Sequence, residues 1–71
     1  MEKILSITKK EAVSVFGSVN EMAELIGVNQ SAISQWPDQL NKRQQNEVFG
    51  VIYRLNLRRR FNQVVAERPI S

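Results

Sequence analysis

The sequence predicts an all-α domain of five short helices arranged around a helix-turn-helix core. Polar capping residues recur just before apolar residues spaced three and four apart, the period of a helix buried on one face. Glycine or proline stands where such helices must stop, at Gly17, Gly27, Pro37 and Pro69. The 71 residues, 42% hydrophobic and 24% charged, suffice for one folded domain, expected to span residues 1–71.

Thr8-Lys9-Lys10-Glu11 has the form of a capping box, in which a threonine oxygen accepts an early amide and a glutamate three residues on reaches back. Ala12, Val13 and Phe16 follow at helical spacing, and Gly17 is expected to end this helix as a left-handed C′ residue. Ser18-Val19-Asn20-Glu21 repeats the box. Val19, Met22, Ala23 and Ile26 then form one apolar stripe that closes at Gly27, with Leu25 off it, either packed on the C-terminal segment or exposed. Asn29 can cap a third helix from Gln30 to about Trp36, stopped by Pro37. Leu40 reads as a buried loop residue. Asn41 can cap a fourth helix, Lys42 to about Arg54, with the stripe Val48, Val51, Ile52 and Leu55. The period restarts at Leu57, Phe61, Val64 and Val65 for a fifth helix to about Arg68, ended by Pro69.

Residues 50–66 admit a second reading. Val51, Tyr53, Leu55 and Leu57 also alternate as a strand would, Val64-Val65 is β-prone, and Gly50 could end a helix instead of sitting inside one. The alternative is an α+β fold with a C-terminal β-hairpin over about 51–66, with Ile4–Ile7 as a third strand. It would have to turn at Arg58-Arg59-Arg60, which holds none of the residues tight hairpin turns favour.

Composition narrows the chemistry. The chain has no cysteine and no histidine, which excludes disulfides, zinc-finger ligand sets, thiol nucleophiles and histidine-based catalytic dyads. Glu11 and Glu21 are explained as caps, so no enzyme activity, cofactor, metal or small-molecule ligand is expected. Net charge is +3 and unevenly spread. Residues 1–36 carry three lysines against four glutamates, net −1; residues 37–71 carry seven Lys/Arg against three Asp/Glu, net +4. A basic half suggests a polyanionic partner. No apolar run approaches the roughly 18 residues of a membrane span, and Ile4–Ile7 is too short for a signal peptide's apolar region. A soluble cytoplasmic protein with no membrane partner is expected.

Val19–Asp38 has the spacing of a helix-turn-helix. Ala23 is small where the two helices must touch, and Gly27 tolerates positive φ in the turn. Met22, Ile26, Val28, Ile33 and Trp36 can anchor the pair. The outer face of the second helix carries Gln30, Ser31, Ser34 and Gln35. An α-helix fits the major groove of DNA, where glutamine can pair two-pronged with adenine and serine can donate or accept. Ser18, Asn20 and Asn29 at helix starts, and Asn41, Lys42 and Arg43 beyond the reading helix, are candidate phosphate contacts. Phe49, Tyr53 and Phe61 read as core or dimer contacts. Arg58-Arg59-Arg60 reads as a solvated face or a further nucleic-acid contact.

The string GVNQSAIS, Gly27–Ser34, resembles the turn and recognition helix of the lambdoid phage Cro repressors, with their G-V-x-Q-S-A-I pattern; Phe16-Gly17 is similar too. The resemblance covers about residues 8–37. It implies a small phage or prophage transcriptional repressor in a bacterial host cell, with Gln30, Ser31, Ser34 and Gln35 reaching bases. It further implies a homodimer, weak or formed on DNA, bound to double-stranded pseudo-palindromic operator DNA. Some members of that family are all-α beyond the motif and others end in a β-hairpin. This chain has about enough residues after Trp36 for a fourth helix, whereas its closing AERPIS is faintly similar to the hairpin form. An antitoxin-like or protein-interaction module on the same fold, without strong base specificity, is the alternative.

Overall fold

A computed structural model describes residues 6–68. Five helices follow one another: α1 Lys9–Phe16, α2 Val19–Ile26, α3 Gln30–Gln35, α4 Lys42–Arg54 and α5 Arg58–Ala66. Among the described residues there is no strand, only an isolated antiparallel bridge between Thr8 and Gln39. The all-α reading holds and the hairpin is not supported. Gly50 lies inside α4, and the turn comes instead at Leu55-Asn56, where Asn56 takes φ 56°. Asparagine is among the few residues that visit that region readily. A strand would have put Val51, Tyr53 and Leu55 on one face. The helix separates them, burying Val51 and Ile52 while Tyr53 is 76% and Leu55 42% exposed. Leu55, expected on the apolar stripe, falls at the C-cap just after α4 ends. Of the Ile4–Ile7 strand that the hairpin alternative would add, residues 4 and 5 lie outside the described residues and Ile7 is buried without strand pairing. The stop at Pro69 also lies outside them, and α5 ends at Ala66.

Capping explains four of the five helix starts. Thr8 and Glu11 form the complete box, with Glu11 N–H donating to Thr8 Oγ1 at 3.2 Å and Thr8 N–H to Glu11 Oε1 at 3.1 Å. Asn41 and Gln44 form a second box at 2.8 and 3.0 Å. Asn29 accepts the Ala32 amide at 3.0 Å. The box expected at Ser18 is only half made: Ser18 Oγ accepts the Glu21 amide at 3.1 Å, and the Glu21 side chain lies over Gly17 instead. Gly17 has a positive φ of 113°, but with ψ −41° it lies outside the left-handed helical conformation expected of it; a Cβ there would collide with Glu21 Oε1. Gly27 adopts the left-handed conformation (φ 94°, ψ 28°), its N–H bonding the Ala23 carbonyl at 2.8 Å as the chain turns from α2 to α3.

The core sits between α1, α2 and α4, closed by Ile33 of α3 and Phe61 of α5. α2 is the hub, packing on α1, α3 and α4, while α5 packs on α1 and α4. α1 buries Ala12, Val15 and Phe16, at i, i+3 and i+4; Val13, expected inside, is half-buried, being one residue off that face. Leu40 is buried as expected, whereas Val19, Ile26, Leu25 and Trp36 are half-buried against the core. Phe61 meets half-buried Phe49 edge to face, centroids 5.4 Å apart, a geometry worth about 0.5–1.5 kcal/mol beyond area burial.

Arg68 ties the last described residues back to the first. Its Nε and Nη2 donate to Glu11 Oε2 and Oε1 at 2.5 and 2.7 Å, and Nη2 also donates to the Ser6 carbonyl. This two-pronged bond, helped by the Thr8 amide, holds the Glu11 carboxyl below its ordinary 4.5, against the opposing effect of burial. The contribution is therefore fully present above about pH 4.5 and lost as pH falls through the lowered value. Arg68→Ala should cost about 1 kcal/mol at pH 7, because the guanidinium is partly in water. Urea unfolding should show wild type and variant converging in stability toward pH 3. A gap that persists unchanged there would mean the ion pair is not its source.

Candidate nucleic-acid interface

α3 is six residues long and divides cleanly by side. At about 100° per residue, Gln30, Ser31, Ser34 and Gln35 span about 140° of arc, centred opposite the arc of Ala32 and Ile33. Ile33 is fully buried and Ala32 half-buried, while all four polar residues are exposed. The short N-capped helix presents them because Ile33 locks its other side into the core beside α2. Among the described residues, none of the four side chains is hydrogen bonded within the protein. Each glutamine thus keeps two donors and an acceptor, and each serine a hydroxyl, for an outside partner.

The candidate phosphate contacts lie at helix starts. Ser18, Asn29 and Asn41 each spend an acceptor oxygen on a cap bond. Each retains a donor, the serine O–H or the asparagine NH₂, for an external oxygen. Asn20 is exposed in the first turn of α2. A shallow groove lined by Val28, Trp36, Asn41, Arg43, Gln44 and Glu47 brings Asn41 and Arg43 together with Val28 and Trp36, which precede and follow α3 in the chain. Lys42 and Arg43 are exposed on the first turn of α4, and Arg43 Nε is 3.8 Å from Glu47 Oε2, a weak i, i+4 pair.

Arg58 and Arg60 of the arginine run are engaged elsewhere. Arg60 Nη1 donates to the Val15 carbonyl at 2.9 Å, behind α1, and Arg58 lines a groove with Phe49, Tyr53 and Phe61. Two cations that the sequence did not single out are engaged at the motif. Lys9 reaches the exit of α3, and Arg54 Nη2 donates to the Leu25 carbonyl at 3.4 Å near the turn. Each joins residues 25 or more positions apart. Local spacing carries no signal of such contacts.

Two helices locked through a left-handed glycine, the second showing an unengaged polar face and flanked by cations, define a helix-turn-helix DNA-binding protein. A family model described as DNA-binding transcriptional regulator Cro, of the P22 type, matches residues 8–66, and the chain belongs to that family. It is a DNA-binding transcriptional regulator of the phage Cro repressor type, in a family that is not an enzyme class. Neither the comparison with curated proteins nor that with solved structures returns a match. Nothing in these findings favours the antitoxin-like alternative. Among the described residues, no helix is long and apolar enough to cross a membrane.

Proposed function

We propose that the chain works as a single DNA-binding domain whose α3 lies in the major groove of an operator half-site. Gln30, Ser31, Ser34 and Gln35 read base edges there. Ser18, Asn20, Asn29, Asn41, Lys42 and Arg43 hold the flanking phosphates and fix the register. Two copies occupy a pseudo-palindromic operator in the bacterial cytoplasm and block polymerase by occupancy. The observation that carries this reading is the stripe of four exposed side chains without hydrogen-bond partners among the described residues, opposite buried Ile33. Tyr53 and Leu55, exposed at the end of α4, supply apolar surface for a dimer contact. That surface is small, which fits association that is weak in solution and completed on DNA.

Selection from random duplexes at about 50 mM salt tests the reading, since phosphate binding alone is strong there and carries no sequence preference. The expected product is a two-fold sequence with half-site centres about 34 Å apart, one turn of the duplex. Recovery of sequences bound no better than the starting pool would overturn it.

A further inference from the structure

The start of α1 and the exit of α3 supply each other's missing hydrogen-bond partners. A helix leaves its first amides and last carbonyls without partners in its own backbone. At the start of α1, the Lys9 amide donates to the Asp38 carbonyl at 2.9 Å and the Lys10 amide to Asp38 Oδ1 at 3.2 Å. The Thr8–Glu11 box takes the Glu11 amide and, just before the helix, the Thr8 amide. At the exit of α3, Pro37 lacks the amide that would serve the Ile33 carbonyl, which accepts from Trp36 N–H at 3.0 Å instead. The chain leaves the helix at Trp36 (φ −67°, ψ 142°), so no following turn serves the Ser34 carbonyl. The Lys9 ammonium fills that place, donating to the carbonyls of Ser34 at 3.4 Å and Trp36 at 3.1 Å. One residue thus grips the same turn through both its backbone and its side chain.

A six-residue helix has little stability of its own, and its placement depends on what holds its ends. Asn29 fixes the entry of α3, and Lys9 with Asp38 fixes the exit, the turn that carries Ser34 and Gln35. Reading a base edge needs a side chain held to within roughly 0.5 Å. We infer that Lys9 and Asp38 are positioning residues for sequence recognition, setting the height and tilt of the last turn of α3 over the bases. The inference rests on the base-reading role proposed for α3. It assigns half-buried Lys9 to specificity, although a lysine near DNA would ordinarily be counted as a phosphate contact.

The test compares wild type, Lys9→Met, Lys9→Arg and Gln35→Ala on the selected operator, on its single-base variants and on random duplex, across a salt series. Lys9→Met keeps the aliphatic stem and removes the donor. It should lose about fivefold or more in discrimination, at the base pairs whose preference Gln35→Ala relaxes. Random-duplex affinity and the salt slope should stay as in wild type, and Lys9→Arg should restore discrimination. If Lys9→Met instead weakens all duplexes alike and flattens the slope by about 0.9, Lys9 is a phosphate contact and the inference fails. Unchanged discrimination also overturns it. Should Lys9→Met not fold, Asp38→Ala, which removes only the carboxylate half, is measured instead; loss confined to the same base pairs supports positioning, and uniform loss refutes it. Wild type without operator preference would remove the base-reading role itself, and the clasp's role with it.

Discussion

Ile33→Ala should cost about 2–5 kcal/mol of stability, the range for truncating a fully buried isoleucine and leaving part of the cavity unfilled. Ile33 is 0% exposed and is the buried residue of α3, touching the core that α1, α2 and α4 share. A 71-residue domain has about 4–10 kcal/mol in all, so the variant should be marginal at 37 °C. The effect on α3 should exceed that on the rest, because six residues cannot persist as a helix without their anchor. Urea unfolding of wild type, Ile33→Val and Ile33→Ala measures it, with valine expected to cost about 0.5–1.5 kcal/mol. Operator affinity should fall by more than the loss of folded fraction alone, because α3 loosens first. An alanine variant within about 0.5 kcal/mol of wild type would show that α3 is held from elsewhere.

The features legible in the sequence are those set within a turn or two of chain. Thr8, Asn29 and Asn41 could be read as caps because each is a short polar side chain able to reach an amide three residues on at the start of a helical period, and the structure makes each cap bond. Ser18 looked identical to Thr8 but makes half the box. The two caps differ in backbone, Ser18 having φ −164° where Thr8 has −88°, and the Glu21 carboxylate lies over Gly17. Over 51–66 the ambiguity was intrinsic, since periods of 2 and 3.6 overlap across so short a window. Packing decides it, because only a helix carries Val48, Val51 and Ile52 inward together.

The outer face of the motif was equally legible, because Gln30, Ser31, Ser34 and Gln35 are exposed by the same rotation that buries Ile33. What supports that face was not legible. Lys9 meets carbonyls 25 and 27 residues away, and Arg68 meets Glu11 across 57. Such pairs are products of the assembled fold, and each lysine or arginine involved reads in isolation as one more solvated charge. Arg60 is the reverse case. It stands in a run that suggests a polyanion contact, yet it is turned to the Val15 carbonyl.

Gln30→Ala should relax operator preference at a single base pair in each half-site, by about 1–3 kcal/mol of discrimination. Gln30 opens α3 and is exposed, so its removal should leave stability within about 0.5 kcal/mol of wild type. Its amide can both donate and accept along one base edge, a pattern that adenine matches in the major groove and other bases do not. Alanine loses both bonds, and the ranking of operator variants at that position should collapse while rankings elsewhere persist. Lys42→Ala is the informative contrast. Lys42 is exposed on the first turn of α4, and a point charge on phosphate carries no base preference. That variant should weaken binding to every duplex alike and flatten the salt dependence by about one unit, with operator ranking intact. Competition binding of both variants against a panel of single-base operator changes separates the two effects. If Gln30→Ala left the ranking as it is in wild type, α3 would not be the reading helix, whatever its fit to the groove.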